Sequence, residues 1–377
     1  MPPVRPMLAK SVKGVPDPEK HGGLSFEPKW DGFRCLLFKD GDEVELTSRN
    51  TKPLTRYFPE LVTAAREQLP ERCVLDGEVF VALPTPDGGQ RLEFEVLQER
   101  IHPAASRVDM LSEKTPAGFV AFDLLALGDE SYVDRPFAER RAALEEALAH
   151  LSDPGVAGPC HLTRTTTDPT IAEQWLEQFE GAGLDGVVAK PLGAAYVENA
   201  RTMLKIKHER TADVVLAGMR EHKTSTPERP LLGSLLLGLW SEGDDGPVLQ
   251  HIGVSASFTE KRRAELWDEL SDLACPIEEH PWARWHDGAI ANPDRVPGTQ
   301  SRWSAGKDLS FVPLRPERVL EVKYDHMEGR RFRHTAHFKR WREDRDPASC
   351  GYEQLDEVSG YDLDEVLGQG QVAPSQD

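Results

Sequence analysis

The residues best suited to chemistry stand in one short stretch, residues 27–34, which reads Glu-Pro-Lys-Trp-Asp-Gly-Phe-Arg. Lys29, Asp31 and Arg34 interrupt an apolar run that would otherwise bury easily, so their charges need a reason. One reason would be a nucleophilic lysine, which needs neighbouring cations because the ordinary pKa of a lysine is about 10.4. The acid and the arginine would then hold a ligand. The other reason would be a solvated edge strand, and this stretch leaves both open.

Two later stretches also place charges inside predicted strands. Asp76 and Glu78 lie in the middle of a strand predicted over 73–80, where burial is costly unless the carboxylates meet a cation, a metal or ligand hydroxyls. Lys205 and Lys207 alternate with an isoleucine, which puts both on one face of a strand. Two adjacent lysines repel each other, so this face favours binding of an anion.

The elements that must position these residues follow an α+β pattern with a change of character after residue 207. Strands are predicted over 24–38 (broken near Asp31-Gly32), 44–48, 73–80 and 119–125, and helices over 58–68, 94–102, 137–151 and 171–182. Short β-rich runs then cover 214–219, 231–240 and 248–254, followed by a helix over 259–273 and strands over 318–324 and 331–342. This second half fits a five-stranded barrel of the oligonucleotide-binding type.

Composition narrows the class of protein. The 377 residues, 39% of them hydrophobic, suggest two domains with ordinary cores, and no apolar run predicts a membrane span or signal peptide, so we expect a cytoplasmic protein. The five cysteines are scattered, which favours reduced thiols over disulfides or zinc. The net charge of −19 argues against loose binding to nucleic acid, although residues 315–345 carry ten basic and six acidic side chains.

In order and spacing, these residues resemble the covalent nucleotidyltransferase superfamily of ATP-dependent DNA ligases, RNA ligases and mRNA capping enzymes. The stretches that carry the resemblance are 29–34 (Lys-Trp-Asp-Gly-Phe-Arg), 48–50 (Ser-Arg-Asn), 76–78 (Asp-Gly-Glu), 122–123 (Phe-Asp), 185–190 (Asp-Gly-Val-Val-Ala-Lys), 204–207 (Leu-Lys-Ile-Lys) and 342–345 (Arg-Glu-Asp-Arg). The chain is most similar to the small bacterial C-type DNA ligases of actinobacteria and to the ligase module of the D-type end-joining enzymes. Segment 6–9 (Pro-Met-Leu-Ala) supports that similarity.

The resemblance implies an α+β fold: an ATP-grasp-like adenylyltransferase domain of antiparallel sheets and helices over 1–208, then an OB-fold β-barrel over 209–350. The acidic segment 351–377 is predicted to be a disordered tail. The implied activity is ATP-dependent sealing of 3′-OH/5′-phosphate nicks in duplex DNA through a lysyl-AMP and a DNA-adenylate. Repair is the expected setting.

The resemblance also implies a role for each candidate residue. Lys29 would carry AMP, Lys190, Lys205 and Lys207 would supply neighbouring cations, and Asp31 would orient the reacting groups. The nucleotide and phosphate ligands would be Glu27 and Phe122 for the base, Arg34 and Glu78 for the ribose, Arg49 for the nick phosphate, and Arg342 and Arg345 for ATP. Glu78 and Asp185 would bind Mg²⁺ or Mn²⁺.

Three positions depart from the usual pattern of the superfamily. Asp185 stands where a glutamate is usual, Met203 where an aromatic residue is common, and Arg345 where a lysine is usual. The shorter acid could shift the metal, and the arginine could alter the phosphate geometry. None of the three removes a group that the chemistry needs.

The expected partner is nicked double-stranded DNA, with a repair protein such as a primase-polymerase or an end-binding factor, and the chain is expected to be a monomer. No helical DNA-binding domain is predicted, so binding to nicks should be weak and salt-sensitive. The loop 275–314, with Trp282, Trp285 and Trp303, would either cover the barrel or contact DNA. The alternatives are an RNA ligase or capping-type enzyme, and a non-catalytic DNA-clamping module.

Overall fold

The computed structural model describes residues 4–86, 88–102, 104–152, 158–207, 210–243, 246–283, 310–325, 327–355 and 360–367. The chain divides into two compact units. The first unit comprises Met1–His208 and Val358–Asp377, and the second comprises Glu209–Glu357. Trp285 and Trp303 lie outside the described residues, as does most of the predicted loop that contains them.

The strands are β1 (Leu8–Ser11), β2 (Leu24–Pro28), β3 (Phe33–Asp40), β4 (Glu43–Ser48), β5 (Arg72–Pro84), β6 (Gln90–Leu92), β7 (Ala117–Leu127), β8 (Glu130–Ser131), β9 (Cys160–Leu162), β10 (Val187–Pro191), β11 (Arg201–Ile206), β12 (Arg210–Glu221), β13 (Leu232–Ser241), β14 (Val248–Ser255), β15 (Val312–Pro313), β16 (Val319–Tyr324), β17 (Met327–Glu328), β18 (Arg331–Phe332) and β19 (His337–Trp341). The α-helices are α1 (Pro59–Gln68), α2 (Phe94–Glu99), α3 (Ala105–Lys114), α4 (Phe137–Ala147), α5 (Pro169–Gln178), α6 (Glu260–Leu270) and α7 (Leu363–Leu367). Single 3₁₀ turns lie at Pro18–His21, Thr55–Tyr57, Ala149–Ser152, Ser271–Leu273, Ile277–Glu279, Pro347–Ser349 and Tyr352–Gln354.

The predicted helices form in place, but most are shorter than predicted, and α3 was not predicted. Helix α5 shows why such a helix begins where it does. The side chain of Asp168 accepts the N–H of Thr170, and Pro169 occupies the first helical position, where a missing N–H costs nothing. In the same way, Thr259 caps α6 by accepting the N–H of Arg262.

The first unit contains two sheets that share an apolar core. One sheet has the order β1-β11-β10-β2, with β1 and β11 parallel, and the other has the order β4-β3-β5-β7-β8, with β6 and β9 at its side. Residues of both sheets and of α5 and α7 form one buried cluster, which includes Phe26, Trp30, Phe80, Phe122, Phe179, Val187, Ile206, Leu363 and Val366. The two sheets therefore pack face to face around this cluster.

The predicted strand 24–38 breaks near Asp31-Gly32, as the sequence indicates, and the break changes sheets. Strand β2 pairs with β10 in one sheet, whereas β3 pairs with β4 and β5 in the other. A side chain at Gly32 would clash with the carbonyl oxygen of Val79, so the crossing needs a glycine at this point. Lys29 and Asp31 are thus held in a tight connection between the two sheets.

The second unit has the strand order of an oligonucleotide-binding barrel. Its antiparallel sheet runs β14-β13-β12-β16-β19, and α6 stands between the third and fourth strands in sequence. A parallel bridge between Ser255 and Ala336 joins the two edges of the sheet, which gives a partly open barrel. The predicted strand over 331–342 is wrong in extent: it divides into β18, which pairs with β17 in a hairpin, and β19.

Trp282 contributes to the core of the second unit. Its ring is buried, and its Nε1–H donates to the carbonyl oxygen of Leu249 at 2.8 Å. This contact favours the covering role that was one of the two interpretations of loop 275–314, for this tryptophan.

The acidic segment after residue 350 is not uniformly disordered. Tyr352–Gln354 forms a 3₁₀ turn, and residues 360–367 pack against the first unit through α7. Leu363 and Val366 are fully buried, the ring of Tyr361 lies 5.3 Å from that of Phe179, and Asp362 accepts the N–H of Gln90. The prediction of a disordered tail is therefore wrong for these residues. The segment is acidic overall, but Leu363 and Val366 form an apolar face that packs against the first unit.

All five cysteines carry free thiols, and four of them are buried. Across the part of the chain that the structure describes, no helix is long and apolar enough to cross a membrane.

Candidate functional site

A cavity of about 240 Å³ in the first unit is lined by seven of the residues that the sequence singled out. Its lining includes Glu27, Lys29, Arg34, Arg49, Glu78, Phe122 and Lys205. The segment Pro6–Ala9 forms another part of the wall. Residues that are up to 199 positions apart in sequence thus meet around one space, since Pro6 precedes β1 and Lys205 is on β11.

Hydrogen bonds hold the backbone of Lys29, and an ion pair holds its side chain. Its N–H donates to the carbonyl oxygen of Gly186 at 2.8 Å, and its carbonyl accepts the N–H of Asp185 at 2.9 Å. Its Nζ forms an ion pair with Asp185 Oδ2. Gly186 has φ +126°, and a side chain there would clash with the carbonyl oxygen of Ile206. The turn that presents Asp185 therefore requires glycine.

Asp185 lies between two ammonium groups. Lys207 Nζ approaches the same Oδ2 atom at 3.1 Å. Burial alone would raise the pKa of Asp185, but the charges and hydrogen bonds of Lys29 and Lys207 outweigh it, and the net pKa is lowered. The carboxylate is therefore ionised, and it keeps Lys207 beside Lys29.

Lys205 adds a third cation to this side of the cavity. Burial lowers its pKa, and the positive charges of Lys29 and Lys207 lower it further. A group of cations in a partly buried site is suited to bind an anion such as a phosphate, because each added negative charge relieves their mutual repulsion.

Lys190 is buried and forms an ion pair of its own. Its Nζ is paired with Glu27 Oε1 at 2.9 Å and donates to the carbonyl oxygen of Phe122 at 2.9 Å. Both charged side chains are buried, and burial raises the pKa of Glu27 against the opposing charge of Lys190. Lys190 thus pairs with Glu27, whereas Asp185 pairs with Lys29 and Lys207.

Glu27 retains hydrogen-bonding capacity on the cavity side of this pair. Its Oε2 atom is buried and has no partner in the structure. A buried carboxylate oxygen is costly to leave unpaired, so it favours a ligand that offers a hydrogen-bond donor, such as an exocyclic amine.

Arg34 is held by a buried network. Its Nε and Nη2 donate to the two oxygens of Asp76, both at 2.6 Å. Tyr196 donates its hydroxyl to Asp76 Oδ2 at 2.6 Å and accepts the N–H of Met7 at 3.1 Å. Burial would lower the pKa of Arg34, but Asp76 raises it by a larger amount. Asp76 therefore meets the cation that its buried position requires.

The ring of Phe122 is in contact with two cations. Arg34 Cζ lies 4.4 Å from the ring centre, and Lys190 Nζ lies 4.6 Å from it. A base that stacks on Phe122, as predicted, needs a part of the ring that these groups do not cover.

Glu78 and Asp31 lie close to each other and to Lys29. Burial raises the pKa of Glu78 to about 8, although Arg34 and Lys29 lower it, and the charge of Asp31 contributes to the rise. Asp31 is half-buried in the connection between the sheets, and Arg49 is exposed at the end of β4. A glutamate in this state favours a cation or a hydroxyl donor as its ligand.

The predicted metal ligands Glu78 and Asp185 offer two carboxylates. Among the residues that the structure describes, no cluster of three or more His, Cys, Asp or Glu could hold a metal ion. Mg²⁺ is usually bound by one or two carboxylates together with phosphate oxygens and waters, so a pair of acids beside a phosphate site fits this ion.

Arg342 and Arg345 belong to the second unit, just after β19. Arg342 forms ion pairs with Asp213 and Asp344, both at 2.8 Å, and Arg345 lies 3.9 Å from Asp213. Gln354 holds the backbone of Asp213 through two hydrogen bonds. Each arginine is thus ordered within its own unit.

Sequence reasoning missed two partners of charged motif residues. Tyr196 completes the network of Asp76, and Arg140 forms a buried two-point pair with Asp123, at 2.7 and 3.0 Å. The apolar setting of Asp123 required some cation, but the sequence carries no signal that selects Arg140.

Comparisons with known proteins identify the family of the chain. The chain belongs to the family of ATP-dependent DNA ligases: residues 6–207 match the family model described as "ATP dependent DNA ligase domain", and residues 228–345 match "ATP dependent DNA ligase C terminal region". The resemblance inferred from the motifs is thereby confirmed.

Two relatives named DNA ligase C2 and DNA ligase C are similar to the chain over almost its whole length. The chain is 57% identical over 359 residues to DNA ligase C2 of Mycolicibacterium smegmatis, covering 94% of this chain and 95% of that protein. It is 54% identical over 369 residues to DNA ligase C of Mycobacterium tuberculosis, covering 97% and 98%. A solved structure titled "Pmar-Lig_Pre." shares the fold, with a TM-score of 0.53 and 18% identity over 90% of this chain and 68% of that chain.

Proposed function

We propose that this chain seals nicks in duplex DNA in three steps, two transfers of AMP followed by its displacement. In the first, Lys29 Nζ loses a proton and attacks the α-phosphorus of ATP as the neutral amine, and the bond to pyrophosphate breaks. The resulting lysyl-AMP passes its AMP to the 5′-phosphate at the nick, and Lys29 is regenerated. The 3′-hydroxyl then attacks that 5′-phosphate and releases AMP. The observation that carries the proposal is the position of Lys29 at the cavity wall, beside Asp185, Lys205 and Lys207.

The lysine cluster supports the transfer by electrostatics. Phosphoryl transfer is catalysed chiefly by positioning and by neutralising charge on the phosphate oxygens. Lys205 and Lys207 supply that charge, and Asp185 holds the ammonium group of Lys29 until the phosphates of ATP enter. Asp31, in the same connection as Lys29, orients the groups that react at the nick.

The rest of the cavity recognises the nucleoside. Glu27 Oε2, which has no partner in the structure, accepts a hydrogen bond from the adenine amine, and the buried pair with Lys190 fixes the orientation of Glu27. Phe122 stacks on the base. Arg34 and Glu78 hold the ribose hydroxyls.

Glu78 and Asp185 are the residues that would hold Mg²⁺ or Mn²⁺. Such an ion would supply further neutralisation of the phosphate charge. Arg49 binds the nick phosphate, and Arg342 and Arg345 bind the phosphates of ATP once their local ion pairs are exchanged. Binding to nicked DNA depends on salt, because contacts with phosphates release counterions.

The test is labelling with α-³²P-ATP and Mg²⁺, followed by a denaturing gel and a chase with nicked duplex DNA. Wild type should take an acid-labile AMP label and lose it as the nick is sealed, whereas Lys29→Ala should take no label. Lys20→Ala is the matched control, because its side chain is 78% exposed and does not line the cavity. Wild type without any label would overturn the proposal.

The same experiment separates the neighbouring activities. A label that transfers to nicked RNA but not to nicked DNA would replace the substrate class while keeping the role of Lys29. A label from GTP in preference to ATP would indicate a capping-type reaction. Sealing on DNA in the presence and absence of a primase-polymerase or an end-binding factor would reveal a protein partner, and light scattering would test the expected monomer.

A further inference from the structure

Tyr196 is buried and is not among the described residues that line the cavity, yet its hydroxyl joins two parts of the wall. It donates to Asp76 Oδ2 at 2.6 Å, and it accepts the backbone N–H of Met7 at 3.1 Å. Asp76, which is fully buried, holds Arg34 through two hydrogen bonds. Both Met7 and Arg34 line the cavity, so one hydroxyl is linked to two neighbouring residues of its wall.

The directions of these hydrogen bonds are fixed by chemistry. An ionised carboxylate only accepts and a backbone N–H only donates, so the phenol proton must point to Asp76 and its oxygen must face Met7. Burial and the charge of Asp76 both raise the pKa of Tyr196, which keeps the phenol protonated. Asp76 Oδ2 accepts hydrogen bonds from both Tyr196 and Arg34 Nη2, so Tyr196 helps to fix the carboxylate that holds Arg34.

The consequence for Arg34 is a defined position over Phe122. The guanidinium Cζ lies 4.4 Å from that ring centre, and Nη2 also approaches the carbonyl oxygen of Met7 at 3.4 Å. Met7 is thus held through its N–H by Tyr196 and through its carbonyl by Arg34. The neighbouring residue Leu8 begins β1, which pairs with β11.

We infer that Tyr196 is a positioning residue for the ribose side of the nucleotide site, acting through Asp76 on Arg34 and through its hydrogen bond to Met7 on the adjoining part of the wall. The inference rests on the proposed function, in which Arg34 and Glu78 hold the ribose of ATP. Tyr196 therefore contributes to the discrimination of the 2′-hydroxyl without touching the nucleotide.

The test is Tyr196→Phe, with Tyr132→Phe as the control, since Tyr132 is another buried tyrosine that does not line this cavity. Labelling rates are measured against the concentration of ATP and of 2′-deoxyATP. In Tyr196→Phe the ATP concentration for half-maximal labelling should rise about tenfold, the order expected for a lost hydrogen bond to a charged group. The maximal rate should change by less than about twofold, and the preference for ATP over 2′-deoxyATP should shrink.

A second pair of variants separates positioning from general loss of structure. Asp76→Asn keeps the side-chain shape and weakens the same network, so it should reproduce both shifts, and it decides the matter if Tyr196→Phe does not fold. In an Arg34→Lys background, Tyr196→Phe should not change the ATP to 2′-deoxyATP ratio further, because the two residues act as one unit.

Wild-type values in Tyr196→Phe, or in Asp76→Asn, would overturn the inference. So would an equal change of the ratio with and without Arg34. An unlabelled wild type would instead overturn the proposed function, so the two failures are distinguishable.

Discussion

Replacing Glu78 by glutamine should change how stability depends on pH. In the folded chain burial raises the pKa of Glu78 to about 8, whereas an unfolded glutamate titrates near about 4.3. Between these values the folded chain binds a proton that the unfolded chain has lost, so the free energy of unfolding falls as the pH rises. This contribution is fully present below the unfolded pKa and is lost as the pH rises through the folded pKa. From the two pKa values, the contribution of Glu78 to the free energy of unfolding should fall by about 2 kcal/mol between pH 6 and pH 8.

The assay is urea unfolding of wild type and Glu78→Gln at pH 6, 7 and 8, without divalent cations. Glutamine matches the neutral acid in shape but does not titrate, so the variant lacks the slope that Glu78 contributes. The wild-type free energy of unfolding, minus that of the variant, should fall by about 2 kcal/mol over this range. Glu45→Gln, on an exposed position of β4, is the control and should show no such difference.

If the difference in free energy of unfolding between wild type and Glu78→Gln stays constant from pH 6 to pH 8, the argument that burial raises the pKa of Glu78 is refuted. The same experiment with Mg²⁺ probes the proposed ligand role. A bound cation favours the charged carboxylate, so it should flatten the wild-type slope and leave that of Glu78→Gln unchanged.

Two further substitutions test the frame around the site. Gly32→Ala should destabilise the chain by about 1–3 kcal/mol and slow labelling by about tenfold or more, because its new methyl group clashes with Val79 and displaces the connection that carries Lys29. Thermal unfolding and labelling rates measure these two effects. The control is Gly193→Ala, whose methyl group meets nothing within 4 Å and should leave both unchanged. Arg140→Met should lower the free energy of unfolding in urea by about 3–5 kcal/mol, because it leaves Asp123 charged, buried and without its partner. Adding Asp123→Asn should restore part of this loss. An Arg140→Met variant as stable as wild type would contradict the argument.

The local parts of the site and the general fold could be predicted from the sequence. Lys29, Asp31 and Gly32 mark the break between β2 and β3 because charges and a glycine interrupt an apolar run, and such signals are readable over a few residues. The barrel type of the second unit also followed from short β-rich runs separated by turn signals. Its last strand was predicted too long, because a run of alternating residues does not show where the β17–β18 hairpin ends and β19 begins.

Pairings between distant residues could not be predicted in the same way. Asp76 demands a cation by its burial, but its partners Arg34 and Tyr196 are 42 and 120 positions away and meet it only through the register of the folded sheets. Lys190 shows the same limit: the sequence suggests a cation in the site, but it does not show that Lys190 pairs with Glu27. In segment 360–367, the spacing of Leu363 and Val366 was a helical signal that the surrounding acids concealed.

The return of the chain to the first unit bears on the order in which that unit can fold. Proteins are synthesised from the N-terminus and their domains begin to fold during synthesis. The apolar cluster that contains Trp30 and Phe80 is built mostly from residues that emerge early, yet Leu363 and Val366 complete it. A ribosome must therefore make all of the second unit before the first one can bury this cluster fully.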